Sequence, residues 1–237
     1  MNLILFSAAD KLDDKRIRLA DARLQHLRKV LDANEGDALR VGEIGGKMGC
    51  AQLLSLAEDE AVLEVTLDQE PPKKLRLTLV LALPRPKMLR RILRSVAELG
   101  VPELHLLNSY RVEKSYWQTP VLQDATVQAY FLQGLQQSRD TVLPRLTLHR
   151  RFKPFVEDEL AGLIGGRRAL LAQPGNYPPC PVGANKPTLL LIGPEGGFIP
   201  YEVEKLQQVG CEAVSLGPRI LRVENAVTTL LARLGAD

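Results

Sequence analysis

Short runs in which apolar and polar residues alternate dominate the first 68 residues of the chain. Such runs are typical of half-buried strands, and turn residues at 34–37 and 45–46 separate them. We predict five strands, at residues 3–6, 16–19, 38–44, 51–56 and 61–67.

One helix is predicted between the second and third strands. Asp21 is a suitable N-cap because its carboxylate can accept the first backbone N–H groups. An apolar face at helical spacing follows, made of Leu24, Leu27, Val30 and Leu31. Five short strands and one helix indicate a small β-barrel-like domain.

A polar segment with two prolines, residues 69–74, cannot continue a strand and is the predicted linker. We therefore divide the chain into domains at 1–70 and 71–237. After the linker the pattern changes to long apolar strands that alternate with helices, which predicts an α/β domain with a mostly parallel sheet.

The second domain opens with a buried strand at 75–83 and a helix that begins near Pro86 and ends before Gly100. Further strands are predicted at residues 104–107, 146–148, 169–172, 189–192 and 213–216. Further helices are predicted at residues 116–137, 155–160, 201–209 and 226–234.

The composition excludes several classes of protein. No stretch approaches the ~20 apolar residues needed to span a bilayer, and the N-terminus lacks the basic segment of a signal peptide. The three cysteines and three histidines lie far apart, without the spacing of a disulfide framework or a metal site. We expect a cytoplasmic protein with no metal and no membrane partner.

Positive charge is concentrated in one short segment. Residues 1–70 carry a net charge of −5, residues 73–117 carry +7, and residues 118–237 carry +1. Four of these cations, Lys87, Arg90, Arg91 and Arg94, share one face of the helix that begins near Pro86, which we call the basic helix. With Arg85 directly before the helix, the candidate RNA-binding residues are Arg85, Lys87, Arg90, Arg91 and Arg94. The pattern fits contacts with RNA phosphates, and an ordinary solvated helix face is the alternative.

Two strands in the second domain each end in a Gly-Pro loop. The first continues into Gly193-Pro194-Glu195-Gly196-Gly197, and the second into Leu216-Gly217-Pro218-Arg219. Glycines let a ligand approach backbone groups, and α/β sheets bind ligands at the carboxyl ends of their strands. The first loop alone could be a tight turn, but two such loops predict one cleft.

Beyond the second loop, Arg222 and Glu224 could act as an anion clamp and a positioned carboxylate. An ordinary surface ion pair is the alternative for these two residues. The chain has neither a GxGxxG fingerprint nor a GxxxxGK[ST] loop, which argues against nicotinamide-dependent enzymes and nucleotide hydrolases.

The segments LLLIGPEGGF and LGPRILRVENA, with residues 83–87 and 97–101, resemble the 16S rRNA uridine-N3 methyltransferases, and the resemblance spans nearly the whole chain. These belong to the SPOUT class and modify uridine 1498 of 16S rRNA in the small ribosomal subunit. The resemblance implies a PUA-like, RNA-binding β-barrel domain at 1–70. It also implies a SPOUT methyltransferase domain with a trefoil-knotted parallel sheet at 71–237, a homodimer and S-adenosylmethionine as cofactor.

For this reaction we hypothesise roles for two residues, and the resemblance itself implies the cofactor-binding residues. Arg222 would hold the target nucleotide or its phosphate, and Glu224 would position the base edge or help to accept its proton. The implied cofactor-binding residues lie on three loops and the strands before them: Leu171, Ala172, Pro174, Ile192, Gly193, Pro194, Glu195, Gly197, Leu216, Gly217, Arg219, Ile220, Leu221, Val223 and Ala226.

Two departures from the family pattern keep alternatives open. The family's R-T-E-T-A is Arg222-Val223-Glu224-Asn225-Ala226 here, and its E-Q-S-G-R is Gln136-Gln137-Ser138-Arg139-Asp140. One alternative is a non-catalytic RNA-binding or ribosome assembly factor. Another is a SPOUT methyltransferase that acts on a different RNA, such as 23S rRNA or tRNA.

Overall fold

A computed structural model describes residues 2–236, which form two compact units. The first unit contains the residues up to Lys73 together with Leu132–Leu143. The second contains Lys74–Phe131 and the residues from Pro144 onward.

A curled five-stranded sheet forms the first unit, in the order β1-β3-β4-β5-β2. The β1–β3 pair is parallel and the other pairs are antiparallel. The strands are β1 Ile4–Phe6, β2 Arg16–Leu19, β3 Ala38–Glu43, β4 Met48–Leu56 and β5 Ala61–Gln69. Alternate residues of these strands point into one apolar core, as their period of two requires.

The predicted helix of this unit is confirmed as α1 Ala22–Lys29, and the Asp21 side chain accepts a hydrogen bond from the backbone of Arg23. The predicted apolar face is wrong at its end. Leu24 and Leu27 are buried, whereas Val30 and Leu31 are 66% and 40% exposed. They are exposed because the helix ends at Lys29.

The segment Leu132–Leu143 belongs to the first unit although it follows the linker by some sixty residues. The Thr141 hydroxyl donates to the carbonyl of Gly46 at 2.5 Å, and the amide of Gly45 donates to the carbonyl of Thr141 at 2.8 Å. These contacts fasten the segment to the turn between β3 and β4.

The second unit has a six-stranded sheet in which every pair is parallel, in the order β11-β9-β10-β6-β7-β8. This confirms the predicted parallel α/β sheet. All six residues of the central strand β6 are buried, as a strand covered on both faces requires. The strands are β6 Leu77–Ala82, β7 Glu103–Leu107, β8 Arg145–His149, β9 Arg168–Ala172, β10 Thr188–Ile192 and β11 Glu212–Val214.

The helices of the chain after the linker are α2 Pro86–Glu98, α3 Asp124–Ser138, α4 Phe152–Pro154, α5 Leu160–Ile164, α6 Pro200–Gln208 and α7 Val223–Leu234. A π-helical turn, Phe155–Glu159, joins α4 to α5. Prolines at the first positions of α2 and α6 fix the entry of each helix. None of the helices within residues 2–236 is long and apolar enough to cross a membrane.

Three helices differ from the prediction. The predicted short helix at residues 155–160 is part of a longer helical segment, residues 152–164, which includes the π-helical turn. Residues 116–122, predicted as the start of a long helix, form short 3₁₀ turns that end in Pro120–Leu122, and α3 begins only at Asp124. The closing helix α7 begins at Val223 rather than at residue 226, which places Glu224 in its first turn.

The edge of the sheet at β7 and β8 contains two buried histidines. Nδ1 of His105 lies 2.9 Å from Nε2 of His149, and Nδ1 of His149 lies 3.2 Å from a carboxylate oxygen of Glu159. Nε2 of His105 is buried and has no hydrogen-bond partner. Burial of the ring, together with the neighbouring His149, lowers the pKa of His105 to about 4.

We predict that acid destabilises the protein through this pair. The unfolded chain takes up a proton at His105 near pH 6.5, whereas the folded protein does so only near pH 4. The free energy of unfolding should therefore decrease as the pH falls through this window, and stay constant above it as far as His105 is concerned. Urea unfolding as a function of pH measures it.

The His105→Asn variant keeps a nitrogen donor near the position of Nδ1 and cannot titrate. Between pH 6.5 and 4, its free energy of unfolding should fall less steeply than that of the unchanged protein. Above pH ~7, the free energies of unfolding of the two proteins should depend on pH in the same way. Identical slopes in the acid window would contradict the assignment.

Candidate cofactor and RNA site

The register of the parallel sheet brings three loops together. Ala172 pairs with Ile192 on one side and with Val214 on the other, so β9, β10 and β11 leave the sheet at the same level. The loops that follow these strands border a cleft of about 650 Å³, which includes the space open to solvent.

The loop after β10 depends on its glycines. Gly197 has φ +69°, a left-handed conformation, and its amide donates to the carbonyl of Pro194 at 2.7 Å. A Cβ at Gly193 would lie 3.0 Å from the amide nitrogen of Phe198. Side chains at these positions would therefore strain the loop, and backbone groups form much of this wall of the cleft.

The loop after β11 contains a second such position, because Gly217 has φ +106°. Its amide donates to the Ser215 hydroxyl at 3.1 Å, which closes a tight turn directly after the strand. From there the chain follows the cleft into α7.

The structure places fourteen of the fifteen predicted cofactor residues around this cleft. They are Ala172, Pro174, Ile192, Gly193, Pro194, Glu195, Gly197, Leu216, Gly217, Arg219, Ile220, Leu221, Val223 and Ala226. The exception is Leu171, which is fully buried within β9 and does not line the cleft. Its side chain points to the other face of the strand from that of Ala172.

Four residues that the sequence did not single out also line the cleft: Gln173, Val214, Ser215 and Leu230. Leu230 lies two turns into α7. Gln173 is the first residue beyond β9, and its side-chain oxygen is buried without a hydrogen-bond partner.

The lining suits a nucleoside joined to an amino acid. Apolar side chains of Ile192, Leu221 and Val223 offer walls for a base, and backbone groups of the two glycine loops offer hydrogen bonds. The residues present therefore fit S-adenosylmethionine.

The two predicted catalytic residues lie in a second pocket that shares a wall with the cleft. Arg222, Glu224 and Arg85 line this outer pocket, and Glu195 and Leu221 border both spaces. Arg222 is exposed at the start of α7. The Glu224 side chain is only 14% exposed, and one of its oxygens lies 3.9 Å from Arg91.

The basic helix α2 starts beside the cofactor cleft. A carboxylate oxygen of Glu195 accepts the backbone amide of Arg85 at 3.0 Å, just before α2 begins. Negative charge is favourable at a helix N-terminus, so this contact stabilises the start of the helix.

The predicted RNA-binding cations are not equivalent. Arg85, Lys87, Arg90 and Arg91 are exposed. Arg94 is half-buried, and its guanidinium lies 4.7 Å from the centre of the Tyr130 ring. Arg94 therefore packs against the protein while the others face solvent.

A buried carboxylate that the sequence gave no sign of organises the rim of the cleft. Glu202 is 2% exposed, and its two oxygens accept the backbone amides of Tyr110 at 2.8 Å and Ile199 at 3.1 Å. Arg111 in turn donates to the carbonyl of Gly196. The loop after β7 is thereby joined to the glycine loop.

We predict that Glu202→Gln destabilises the protein by ~1–3 kcal/mol, because the amide nitrogen of glutamine cannot accept a hydrogen bond and leaves a buried N–H unsatisfied. Chemical denaturation measures the change. The control is Glu204→Gln, a substitution of an exposed residue on the same helix, which should stay within ~0.5 kcal/mol of the unchanged protein. Equal stability of both variants would show that the carboxylate does not hold the two loops.

The amino-acid sequence is similar to those of known proteins over nearly its whole length. Residues 71–235 match the family described as RNA methyltransferase domain. The ribosomal RNA small subunit methyltransferase E of Treponema pallidum is 29% identical over 239 residues, which cover 98% of this chain and 90% of that protein. The protein of the same name from Synechocystis sp. is 30% identical over 245 residues, which cover 98% of this chain and 77% of that protein.

A crystal structure agrees with the fold. Ribosomal RNA small subunit methyltransferase E from Neisseria gonorrhoeae, bound to S-adenosyl methionine, superposes with a TM-score of 0.75 at 22% identity. The superposition covers 97% of this chain and 95% of that one. The chain therefore belongs to the ribosomal RNA small subunit methyltransferase E family and is an RNA methyltransferase of that type.

Proposed function

We propose that this protein transfers the methyl group of S-adenosylmethionine to N3 of uridine 1498 in 16S rRNA of the small ribosomal subunit, in the cytoplasm. The observation that carries the proposal is the pair of adjoining spaces. One is a cleft formed by the two glycine loops and the loop after β9, and the other is an outer pocket with an arginine and a carboxylate. The names of the relatives support ribosomal RNA as the substrate class.

In the cleft, the loops after β9, β10 and β11 would hold the cofactor through backbone groups and apolar walls. When bound, the cofactor supplies an electrophilic methyl group on a sulfonium. Four residues, Glu195, Ile220, Leu221 and Val223, line both spaces, so the cleft and the outer pocket adjoin, which suits a transfer from one to the other.

In the outer pocket, the uracil must lose its N3 proton and present N3 in line with the methyl group. The Glu224 carboxylate would accept a hydrogen bond from the N3–H group and help to remove its proton. Arg222 would hold the nucleotide or its phosphate. Orientation contributes most to such a transfer, and a positioned base adds to it. The guanidinium of Arg91 lies 3.9 Å from the Glu224 carboxylate, within reach of a weak ion pair.

The RNA would approach across the basic helix. Arg85, Lys87, Arg90 and Arg91 face solvent on the side of α2 that begins at the outer pocket. Their charges would contact phosphates, which sets affinity and position rather than sequence choice.

The proposal includes the architecture that the resemblance implies. Residues 1–70 would act as a PUA-like RNA-binding domain, the parallel sheet of 71–237 would be knotted as in the SPOUT class, and two copies would form a homodimer. The close packing of the loop after β9 around the C-terminal segment supports the knot: Cys180 pairs with Ser215, and Gly183 with Arg233, through backbone hydrogen bonds. An experimental structure of the assembled protein would test the knot and the dimer together.

We predict that Arg222→Ala lowers methyl transfer to purified small subunits by at least ~100-fold, because removing a group that orients the reacting nucleotide affects the rate far more than it affects folding. Transfer of a labelled methyl group under single-turnover conditions measures the rate. Affinity for S-adenosylmethionine, measured by calorimetry, should stay within ~3-fold, since Arg222 borders the outer pocket and not the cleft.

Normal transfer by the Arg222→Ala protein would refute the assigned role. If the unchanged protein binds S-adenosylmethionine but transfers to tRNA or 23S rRNA instead, the reaction class stands and the substrate is wrong. If it binds no S-adenosylmethionine at all, the non-catalytic RNA-binding factor becomes the better account.

We also predict that Lys87→Glu combined with Arg90→Glu weakens binding to the small subunit and reduces the slope of log affinity against log salt by ~2, about one unit for each phosphate that the helix no longer neutralises. The control is Lys153→Glu combined with Lys186→Glu, which reverses two exposed cations elsewhere in the same unit. An equal weakening in both double variants would show that general charge, and not the basic helix, governs binding.

A further inference from the structure

Gln173, the first residue after β9, has a side chain that lines the cofactor cleft and reaches the loop after β10. Its backbone amide donates to the carbonyl of Val214 at 2.9 Å, which continues the pairing of β9 with β11 beyond the strand end. The side chain lines the cleft, and its nitrogen lies 4.0 Å from the position that a Cβ on Gly197 would occupy. The end of the Gln173 side chain thus lies between the loops after β9 and β10.

The oxygen of this side chain is the unusual feature. It is buried and has no hydrogen-bond partner, which is true of few side-chain atoms in residues 2–236. A buried acceptor without a donor destabilises a protein, and the few that persist in native proteins commonly serve a function. Apolar residues dominate the cleft walls around it, so a methionine at this position would fold at no such cost.

We propose that the side-chain oxygen of Gln173 accepts a hydrogen bond from a donor group of the bound cofactor and so contributes to its affinity. The proposal rests on the proposed function. S-adenosylmethionine carries N–H and O–H donors at three places: the amino group of adenine, the ribose hydroxyls and the ammonium of the methionine part. The oxygen of Gln173 would pair with one of them.

This inference predicts opposite effects on stability and on binding. Gln173→Met removes the acceptor and keeps a side chain of similar length. Without ligand, the variant should melt at the same temperature as the unchanged protein or higher, because no buried acceptor remains unsatisfied. Its affinity for S-adenosylhomocysteine, the stable product form, should be about tenfold weaker in calorimetry.

Gln173→Glu is the second variant, because a carboxylate can accept a hydrogen bond but cannot donate one. It should bind S-adenosylhomocysteine within about threefold of the unchanged protein, since the acceptor is retained. If it loses affinity as Gln173→Met does, the nitrogen and not the oxygen is used, and the proposal is wrong. The matched control is Gln208→Met, in which an exposed glutamine is replaced and neither quantity should change.

Two analogues then identify the donor. S-inosylhomocysteine lacks the amino group of adenine, and 5′-methylthioadenosine lacks the ammonium. The analogue for which Gln173→Met no longer weakens binding is the one that lacks the partner, and an effect that persists with both assigns the ribose hydroxyls.

Binding of S-adenosylhomocysteine to the unchanged protein distinguishes a wrong role for Gln173 from a wrong proposed function. If the unchanged protein binds S-adenosylhomocysteine and Gln173→Met binds it equally well, this inference fails and the proposed function stands. If the unchanged protein binds neither S-adenosylmethionine nor S-adenosylhomocysteine, the proposed function fails as well.

Discussion

In the six-stranded sheet, β9 hydrogen-bonds to β10 on one side and to β11 on the other, with Ala172 opposite both Ile192 and Val214. Because all three strands are parallel, three chain segments far apart in sequence leave the sheet at one level and on one edge. The cleft depends on this register, because the register brings the three loops that border it to the same edge of the sheet. A shift by one residue would turn each side chain to the other face of its strand and separate the loops.

Two carboxylates convert this common edge into a defined site. The side chain of Glu195, in the glycine loop, accepts a hydrogen bond from the backbone amide just before the basic helix. Glu202 accepts backbone amides from the loop after β7 and from Ile199, just beyond the glycine loop. The cofactor cleft, the outer pocket and the basic helix therefore share one hydrogen-bonded frame. Contacts of this kind explain how a cleft made largely of backbone can keep its shape.

Local patterns in the sequence predicted much of this arrangement. Apolar runs located the strands of both units, the capping residue Asp21 located α1, and the two Gly-Pro loops indicated one cleft. Each of these signals depends on neighbouring residues, whose spacing follows the period of a strand or a helix. The predicted helix at residues 116–137 failed where Thr119 and Pro120 interrupt it, although its apolar spacing continued.

The features that the sequence could not predict depend on contacts between distant residues. Glu202 accepts an amide 92 positions away, Thr141 contacts the turn at Gly46, and the side-chain nitrogen of Gln173 lies beside Gly197 in the loop after β10. A buried polar group follows no period, so a glutamate in the first turn of a helix reads as an ordinary capping residue. The assignment of Leu171 to the cleft was wrong for a different, local reason: successive side chains of a strand point to opposite faces, so Ala172 lines the cleft and Leu171 packs in the core.

We propose that the glycine-loop cleft and the Arg222–Glu224 pocket together methylate N3 of one uridine in 16S rRNA. Mass-spectrometric mapping of 16S rRNA from cells with and without the gene tests this proposal. We expect N3-methyluridine at position 1498 in the first sample, its loss in the second and its return when the gene is restored. N3-methyluridine that persists at this position after deletion would show that another enzyme makes it.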